Sequence, residues 1–282
     1  MGAGSSREIK DEIMSESYLT GEKNGSIYTI SFNRPAKRNA ITVEMLTGIC
    51  ELVESQAGDP DIRAIILKGQ GKMFSAGVDF NSLGAEVGAC LGEAGAGGAP
   101  LRALIYRFQQ YLNRLEAVEI PIICAMHGRA LGLGIELALA CDIRLMSDDC
   151  IWAMPELKLG VIADVGGTSR LARLAGPSRT MEIFLTARDY TARQALDWGL
   201  VNYIYPEKDL FAEAEKMAGD MAATAPLAGG AVKKIIKRGD GVDLMTQMDM
   251  EANHNSILLR TEDFQEGLTA MMEKRAANWK KK

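Results

Sequence analysis

The chain reads as an α/β core running to about residue 205, followed by a helical C-terminal part. Three observations predict this. Short apolar runs at 26–32 (SIYTISF), 62–67 (IRAIIL) and 120–126 (IPIICAM) alternate with segments of helical spacing, the order of a βαβ-type crossover. The run at 62–67 is an apolar block instead of an alternating pattern, as expected for a strand covered on both faces. From about Pro206 onward strand signals vanish and helical segments follow one another. The expected organisation is a polar, flexible extension at 1–16, a core at 17–205 and a helical region at 206–282, whose role is expected to be subunit contact.

Each element has a local reason. β-branched and aromatic residues make 26–32 a strand, and Asn33-Arg34-Pro35 ends it with turn chemistry. Thr42 is placed to cap a helix through residue 57 that carries Met45, Leu46, Ile49 and Val53 on one face. After the strand at 62–67 comes a glycine-punctuated loop, KGQGKMFSAGVDFNSLG, whose turns expose backbone N–H groups. Residues 84–100 hold six glycines among alanines and read as a mobile insertion or a surface excursion. Helical spacing resumes at 101–118 through Leu104, Phe108, Tyr111, Leu112 and Leu115, and leads into the strand at 120–126. The turn at 128–134 opens a helix to about Cys141, a strand follows at 143–146, and helical segments fill 169–174, 178–185, 192–198, 210–224, 227–238 and 244–259.

Composition removes several function classes. The formal net charge is −5 and no Lys/Arg run exceeds the terminal Lys280–Lys282, which argues against a nucleic-acid groove. The five cysteines are odd in number and form no CxxC pair, so reduced thiols in a cytoplasmic compartment are expected, with no metal role. The two histidines, His127 and His254, lie far apart in sequence and make no metal site by themselves. Every apolar run is too short and interrupted for a secretory core or a membrane span.

The chemistry concentrates at 127–170, HGRALGLGIELALACDIRLMSDDCIWAMPELKLGVIADVGGTSR. Glu136, Glu156 and Asp164 stand among apolar neighbours and glycine turns, unlike carboxylates on a solvated face. In dry surroundings paired carboxyls have their proton affinities pushed apart, so one holds a proton while the other accepts one. Residue type leaves a structural alternative open: Glu136 and Glu156 as helix caps or arginine partners, and Asp164 as a cap of the Gly166 turn. Free N–H groups at the start of the helix near Gly134 suit a developing oxyanion.

Several ordered motifs together resemble one family. NRPAKRNAIT at 33–42, MFSAGVDF at 73–80, HGRALGLGIELALACDIR at 127–144, PELKLGVIADVGGTSRL at 155–171 and FQEGLTAMMEKR at 264–275 are similar to those of the crotonase, or enoyl-CoA hydratase/isomerase, family, over roughly residues 25–275. The resemblance implies a spiral of repeated β-β-α units with a helical C-terminal trimerisation region, a trimer or a hexamer of two trimers, and an acyl-CoA thioester as substrate. Coenzyme A arrives as part of the substrate, and no separate cofactor is implied.

The resemblance also assigns roles. The oxyanion hole falls on the backbone N–H groups of Val78 and Leu133, where Leu133 replaces a usual glycine. Glu136 and Glu156 match the two glutamates that hold and activate water in the hydratases. Asp164 matches the third acid of the dienoyl-CoA isomerases, which shuttle a proton between Glu156 and Asp164; those enzymes typically carry Asp where Glu136 stands. Lys37, Arg38, Ala76, Asp79 and Lys274 fall where the family contacts CoA, and Met73, Phe74, Leu83, Trp152 and Met154 are candidates for an acyl pocket. The expected activity is hydration of a 2-enoyl-CoA. The alternatives are isomerisation of a 3,5-dienoyl-CoA to a 2,4-dienoyl-CoA, and a non-catalytic or RNA-binding homologue.

Overall fold

A computed structural model describes residues 18–91, 98–239 and 241–282; the expected extension at 1–16 lies outside them. The main sheet has six strands: β1 (Leu19–Asn24), β2 (Ile27–Phe32), β3 (Ala64–Gly69), β4 (Ile122–Met126), β6 (Ile143–Ser147) and β9 (Tyr203–Tyr205), in the order β1-β2-β3-β4-β6-β9. Only the β1–β2 pair is antiparallel. The apolar block in β3 is explained by two-sided burial. Ala64 and Ile66 pack with Leu210, Ala214 and Ala218 of α8 (Glu207–Ala222), while Ile65 and Leu67 join the larger core on the opposite face.

That larger core fills the space under a second, short sheet: β5 (Arg129–Leu131), β7 (Ile151–Ala153) and β8 (Tyr190–Thr191). Isolated bridges Ile41–Val78 and Ser75–Ala130 extend this layer. Three of the long strands, β2, β3 and β4, are therefore each followed by a short extended piece in the second layer and then by a helix. β2 leads through Ile41 to α1 (Val43–Gly58), β3 through 75–78 to α2 (Phe80–Leu91), and β4 through β5 to α4 (Leu133–Ala140). This is the expected spiral of β-β-α units. Between α2 and α4 in sequence lies α3 (Gly98–Ala117), whose Leu104, Phe108, Leu112 and Leu115 are buried.

The structure corrects the reading of 84–100 as an insertion. Residues 84–91 belong to α2, whose Leu83, Val87 and Cys90 pack against the core despite the glycines, and 98–100 open α3; residues 92–97 lie outside the described ones. The strands β5, β7, β8 and β9 were not foreseen because two or three residues show no periodicity, and β1 was not foreseen because LTGEKN is mostly polar and glycine-bearing. After β7 come α5 (Gly167–Ala175), α6 (Pro177–Thr186), α7 (Ala192–Asp197) and, beyond α8, α9 (Pro226–Gly239), α10 (Leu244–Leu258) and α11 (Glu262–Glu273). Among the described residues no helix is long and apolar enough to cross a membrane.

One buried ion pair fastens the helical region to the core. Lys233 of α9 is 9% exposed, and its Nζ lies 2.8 Å from Asp142 and donates to the carbonyls of Leu115 and Ile120 at 3.2 and 2.9 Å. Burial pushes the lysine pKa down and Asp142 opposes that shift. Asp142 also accepts the Ile122 N–H at 2.8 Å, at the start of β4. Lys233→Ala leaves the Asp142 carboxylate with only the Ile122 amide and Lys237 at 4.0 Å and takes a donor from two carbonyls, and is expected to lower the unfolding free energy by about 3 kcal/mol. Urea denaturation checks this, and a loss below about 1 kcal/mol would show that the pair is not a fastening.

Candidate active site

A cavity of about 300 Å³ lies between α1, α2, α3 and the start of α4, and 155–165 closes one side. Two glycine turns meet at its wall. In the first, Ile41 donates to the Gly77 carbonyl and accepts from Asp79 N–H, both at 2.8 Å, which leaves the Val78 N–H between them without an acceptor among the described residues. Ser75 holds this turn from beneath: its Oγ donates to the Asn39 carbonyl at 2.8 Å and accepts from Gly77 N–H at 3.1 Å. In the second turn, Gly132 (φ 48°) precedes α4, and its carbonyl accepts the Glu136 N–H at 3.0 Å. The Leu133 N–H, one of the first amides of a helix, likewise has no acceptor among the described residues.

Glycine at these turns is a packing requirement. A Cβ at Gly77 (φ 93°) would sit 3.0 Å from the Leu131 carbonyl oxygen, and one at Gly132 would sit 2.6 Å from Glu156 Oε1. The Glu156 carboxyl thus lies against the Gly132–Leu133 turn. Its Oε2 is buried and has no hydrogen-bond partner among the described residues.

Glu136 is 4% exposed, in a helix whose eight residues are all buried. Its Oε1 accepts from the N–H groups of Val165 and Gly167 at 3.2 and 2.9 Å. Burial pushes its pKa up to about 8; the charges of Glu156 and Asp164 add to the rise, and the two amides oppose it. Burial also raises Glu156, with Asp164 adding, and burial raises the half-buried Asp164. Three carboxyls therefore share one poorly hydrated cavity, each biased toward holding its proton.

Of the residues singled out in the sequence, Ala76, Val78, Leu133, Glu136, Glu156 and Asp164 all line this cavity. Asp164 is not the cap of the following helix: α5 starts after Gly166 with no side-chain cap. Glu136 instead serves the Val165–Gly167 amides, so the capping alternative belongs to it in addition to its place in the cavity. Lys37 and Asp79 line a separate polar groove that shares Thr42 and Ser82 with the cavity. The Asp79 carboxylate is taken up by Arg34 at 3.0 Å and by the Asn81 and Ser82 amides, which hold it below its usual pKa. Arg38 (φ 53°) accepts the Ala76 N–H through its carbonyl, and Lys274 (φ 53°) ends α11; neither lines the cavity.

The apolar wall differs from the expected one. Phe74, Trp152 and Met154 are fully buried in the core, Met73 does not line the cavity, and of the five candidates only Leu83 does. Leu101, Leu104, Ile105 and Phe108 of α3 take their place, with Leu159 and Ile162. Their helical spacing was visible in the sequence, but periodicity marks an apolar face without saying whether it meets core or cavity. Among the described residues no cluster of metal-ligating side chains exists.

Comparison with known proteins identifies the family and the fold. Residues 22–282 match the family model described as enoyl-CoA hydratase/isomerase. The chain is 32% identical over 274 residues to the peroxisomal Delta(3,5)-Delta(2,4)-dienoyl-CoA isomerase of Arabidopsis thaliana, covering 94% of this chain and 99% of that protein. It is 34% identical to the crotonyl-CoA hydratase of Syntrophomonas wolfei, covering 92% of this chain and 96% of the relative. The crystal structure of an enoyl-CoA hydratase from Bacillus anthracis superimposes with a TM-score of 0.85 at 30% identity, covering 94% of this chain and all of that one. With its spiral of β-β-α units and a match across nearly its whole length, the chain belongs to the enoyl-CoA hydratase/isomerase, or crotonase, family.

Proposed function

We propose that this family member adds water across the 2,3 double bond of a 2-enoyl-CoA. The observation that carries this reading is that Glu136 and Glu156 line the same cavity as the two acceptor-free amides of Val78 and Leu133. The thioester oxygen bonds to both amides and takes up negative charge as water oxygen bonds to C3. Preorganised donors of this kind each contribute about 3 kcal/mol to a transition state. One carboxylate accepts a proton from the attacking water, and C2 receives a proton from the other carboxyl or from the same water. Glu136 is anchored through Oε1 by two amides, while Glu156 lines the cavity with Oε1 against the Gly132 turn and its buried Oε2 unpartnered among the described residues. No separate cofactor enters this chemistry.

A second reading is favoured by Asp164, which lines the cavity and caps no helix. With Glu156 it forms a pair suited to moving a proton along a 3,5-dienoyl chain toward the 2,4-dienoyl product. CoA itself would lie toward Lys37, Arg38 and Ala76, with Lys274 reaching it from a neighbouring subunit. That neighbour follows from a proposed homotrimer, alone or paired as a hexamer. In the single chain α10 buries no residue, and Val232, Ile236, Met245, Met248, Ile257 and Met271 are exposed.

Four outcomes are expected. A panel of 2-enoyl- and 3,5-dienoyl-CoA thioesters gives products heavier by one water, whereas unchanged mass with new ultraviolet absorption would replace hydration by isomerisation. No turnover of any thioester together with RNA binding would leave only the non-catalytic reading. Glu156→Gln lowers kcat by about 100-fold or more, while Asp164→Asn leaves hydration within about threefold. Light scattering gives a mass near a threefold or sixfold multiple of 30.5 kDa.

The fourth outcome concerns pH. Glu136 holds its proton to about 8 when folded, against an ordinary value of 4.5. Between those values the folded chain binds the extra proton, so Glu136's contribution to stability is complete below 4.5 and declines as pH rises through 8. Urea unfolding is expected to show this decline in the wild type and a flatter profile in Glu136→Gln.

A further inference from the structure

The turn that carries Asp164 also supplies both amides that hold Glu136, and it is tied down from outside the cavity. Gln109 Nε2 donates to the Asp164 carbonyl at 2.8 Å. That carbonyl and the Val165 N–H bonded to Glu136 belong to one peptide unit, so the Gln109 bond polarises the donor that Glu136 receives. Arg170 Nη1 donates to the Val165 carbonyl at 2.9 Å, on the next peptide unit. Arg170 is itself gripped: Nε and Nη2 donate to the two Glu116 carboxylate oxygens at 3.0 and 2.7 Å, and Nη2 also reaches Asn113 Oδ1 at 3.0 Å.

Gln109, Asn113 and Glu116 follow i, i+4, i+7 spacing along α3, so one helix face supplies both the direct bond to the Asp164 carbonyl and the side chains that hold Arg170. Lys237 of α9 adds a bond to Glu116 at 3.3 Å. The Arg170 side chain is only 12% exposed, and a Cβ at Gly166 would fall 1.9 Å from its Nη1, so the guanidinium is pressed against the bare backbone of the turn. A planar fork held bidentately by a carboxylate has a fixed orientation, which a single flexible donor lacks.

We propose that Arg170, locked by Glu116 and Asn113, is a positioning residue that presents the Val165 and Gly167 amides to Glu136. The orientation of one acid in the cavity is thereby set from a polar stripe of α3 that adjoins, further along the helix, the apolar stripe forming the cavity wall. The kinetic side of this inference rests on the acid/base reading of Glu136; the titration of its carboxyl tests the clamp by itself. The charged groups facing Glu136 are Glu156 and Asp164, and neither is altered in the test.

The experiment follows the carboxylic C=O infrared band through a pH titration, with Glu136→Gln assigning the band. Arg170→Met, Glu116→Ala and Glu116→Gln are compared with the wild type, alongside kcat and KM for the thioester the wild type turns over. Loss of two amide bonds to the carboxylate raises its pKa. The midpoint is therefore expected to rise in both Arg170→Met and Glu116→Ala, with kcat about tenfold lower and KM within about twofold. Glu116→Gln, which keeps an acceptor for Arg170, stays near the wild type.

The field of the removed charges would act differently, raising the midpoint in Arg170→Met but lowering it in Glu116→Ala. A midpoint in Glu116→Ala that falls or stays put overturns the proposal. If Arg170→Met does not fold, the two Glu116 variants decide it alone. Shifted midpoints with full activity in Glu136→Gln would uphold the clamp and remove Glu136 from the chemistry.

Discussion

The burial of the Glu136 carboxyl is the constraint on which the site depends. A carboxyl with almost no access to water must find donors in the protein or keep its proton, and here both conditions operate. The donors are main-chain amides of Val165 and Gly167, approached so closely that a Cβ at Gly167 would lie 2.7 Å from the Glu136 carboxyl. Gly134 backs onto Ser75 and Gly132 onto Glu156 with similarly little room. The glycine pattern of this region is thus set by backbone and carboxylate packing together, with flexibility playing little part.

The spiral explains how segments distant in sequence reach one cavity. Parallel strands in the main sheet each deliver a short extended piece to the second layer at the same end. The turns at Gly77 and Gly132 therefore lie side by side, although 55 positions separate them (132 − 77). Their two free amides are a consequence of that register: Val78 sits between two bridging bonds to Ile41, and Leu133 is the first residue of a helix. Side-chain identity has little influence on such donors, which is why leucine at 133 is compatible with the arrangement.

Helix α3 combines two duties that its sequence presents as one amphipathic pattern. Leu101, Leu104, Ile105 and Phe108 form the apolar wall, while Gln109, Asn113 and Glu116 face the turn of Asp164 or the arginine that holds it. The same helix thereby couples the space available to an acyl group with the placement of the acids. Any change in α3 register alters both at once.

Much of this was legible in the sequence. The α/β core and the three carboxyls follow from apolar blocks and glycine spacing, because strand burial and turn geometry are local demands on residue type, whereas the β-β-α spiral and the roles of the Val78 and Leu133 turns were implied by the resemblance of the ordered motifs to the family. The short strands β5, β7 and β8, the helical state of 80–91 and the cavity wall on α3 were not legible, because their stability comes from packing against remote segments. For the same reason the sequence by itself determined which acids and turns exist. Only the tertiary structure decided that Asp164 faces the cavity instead of capping α5, that Glu136 is held by the Val165 and Gly167 amides, and that Phe74, Trp152 and Met154 are core. Burial and hydrogen-bond partners are properties of the assembled chain, and no residue carries them in its own side chain.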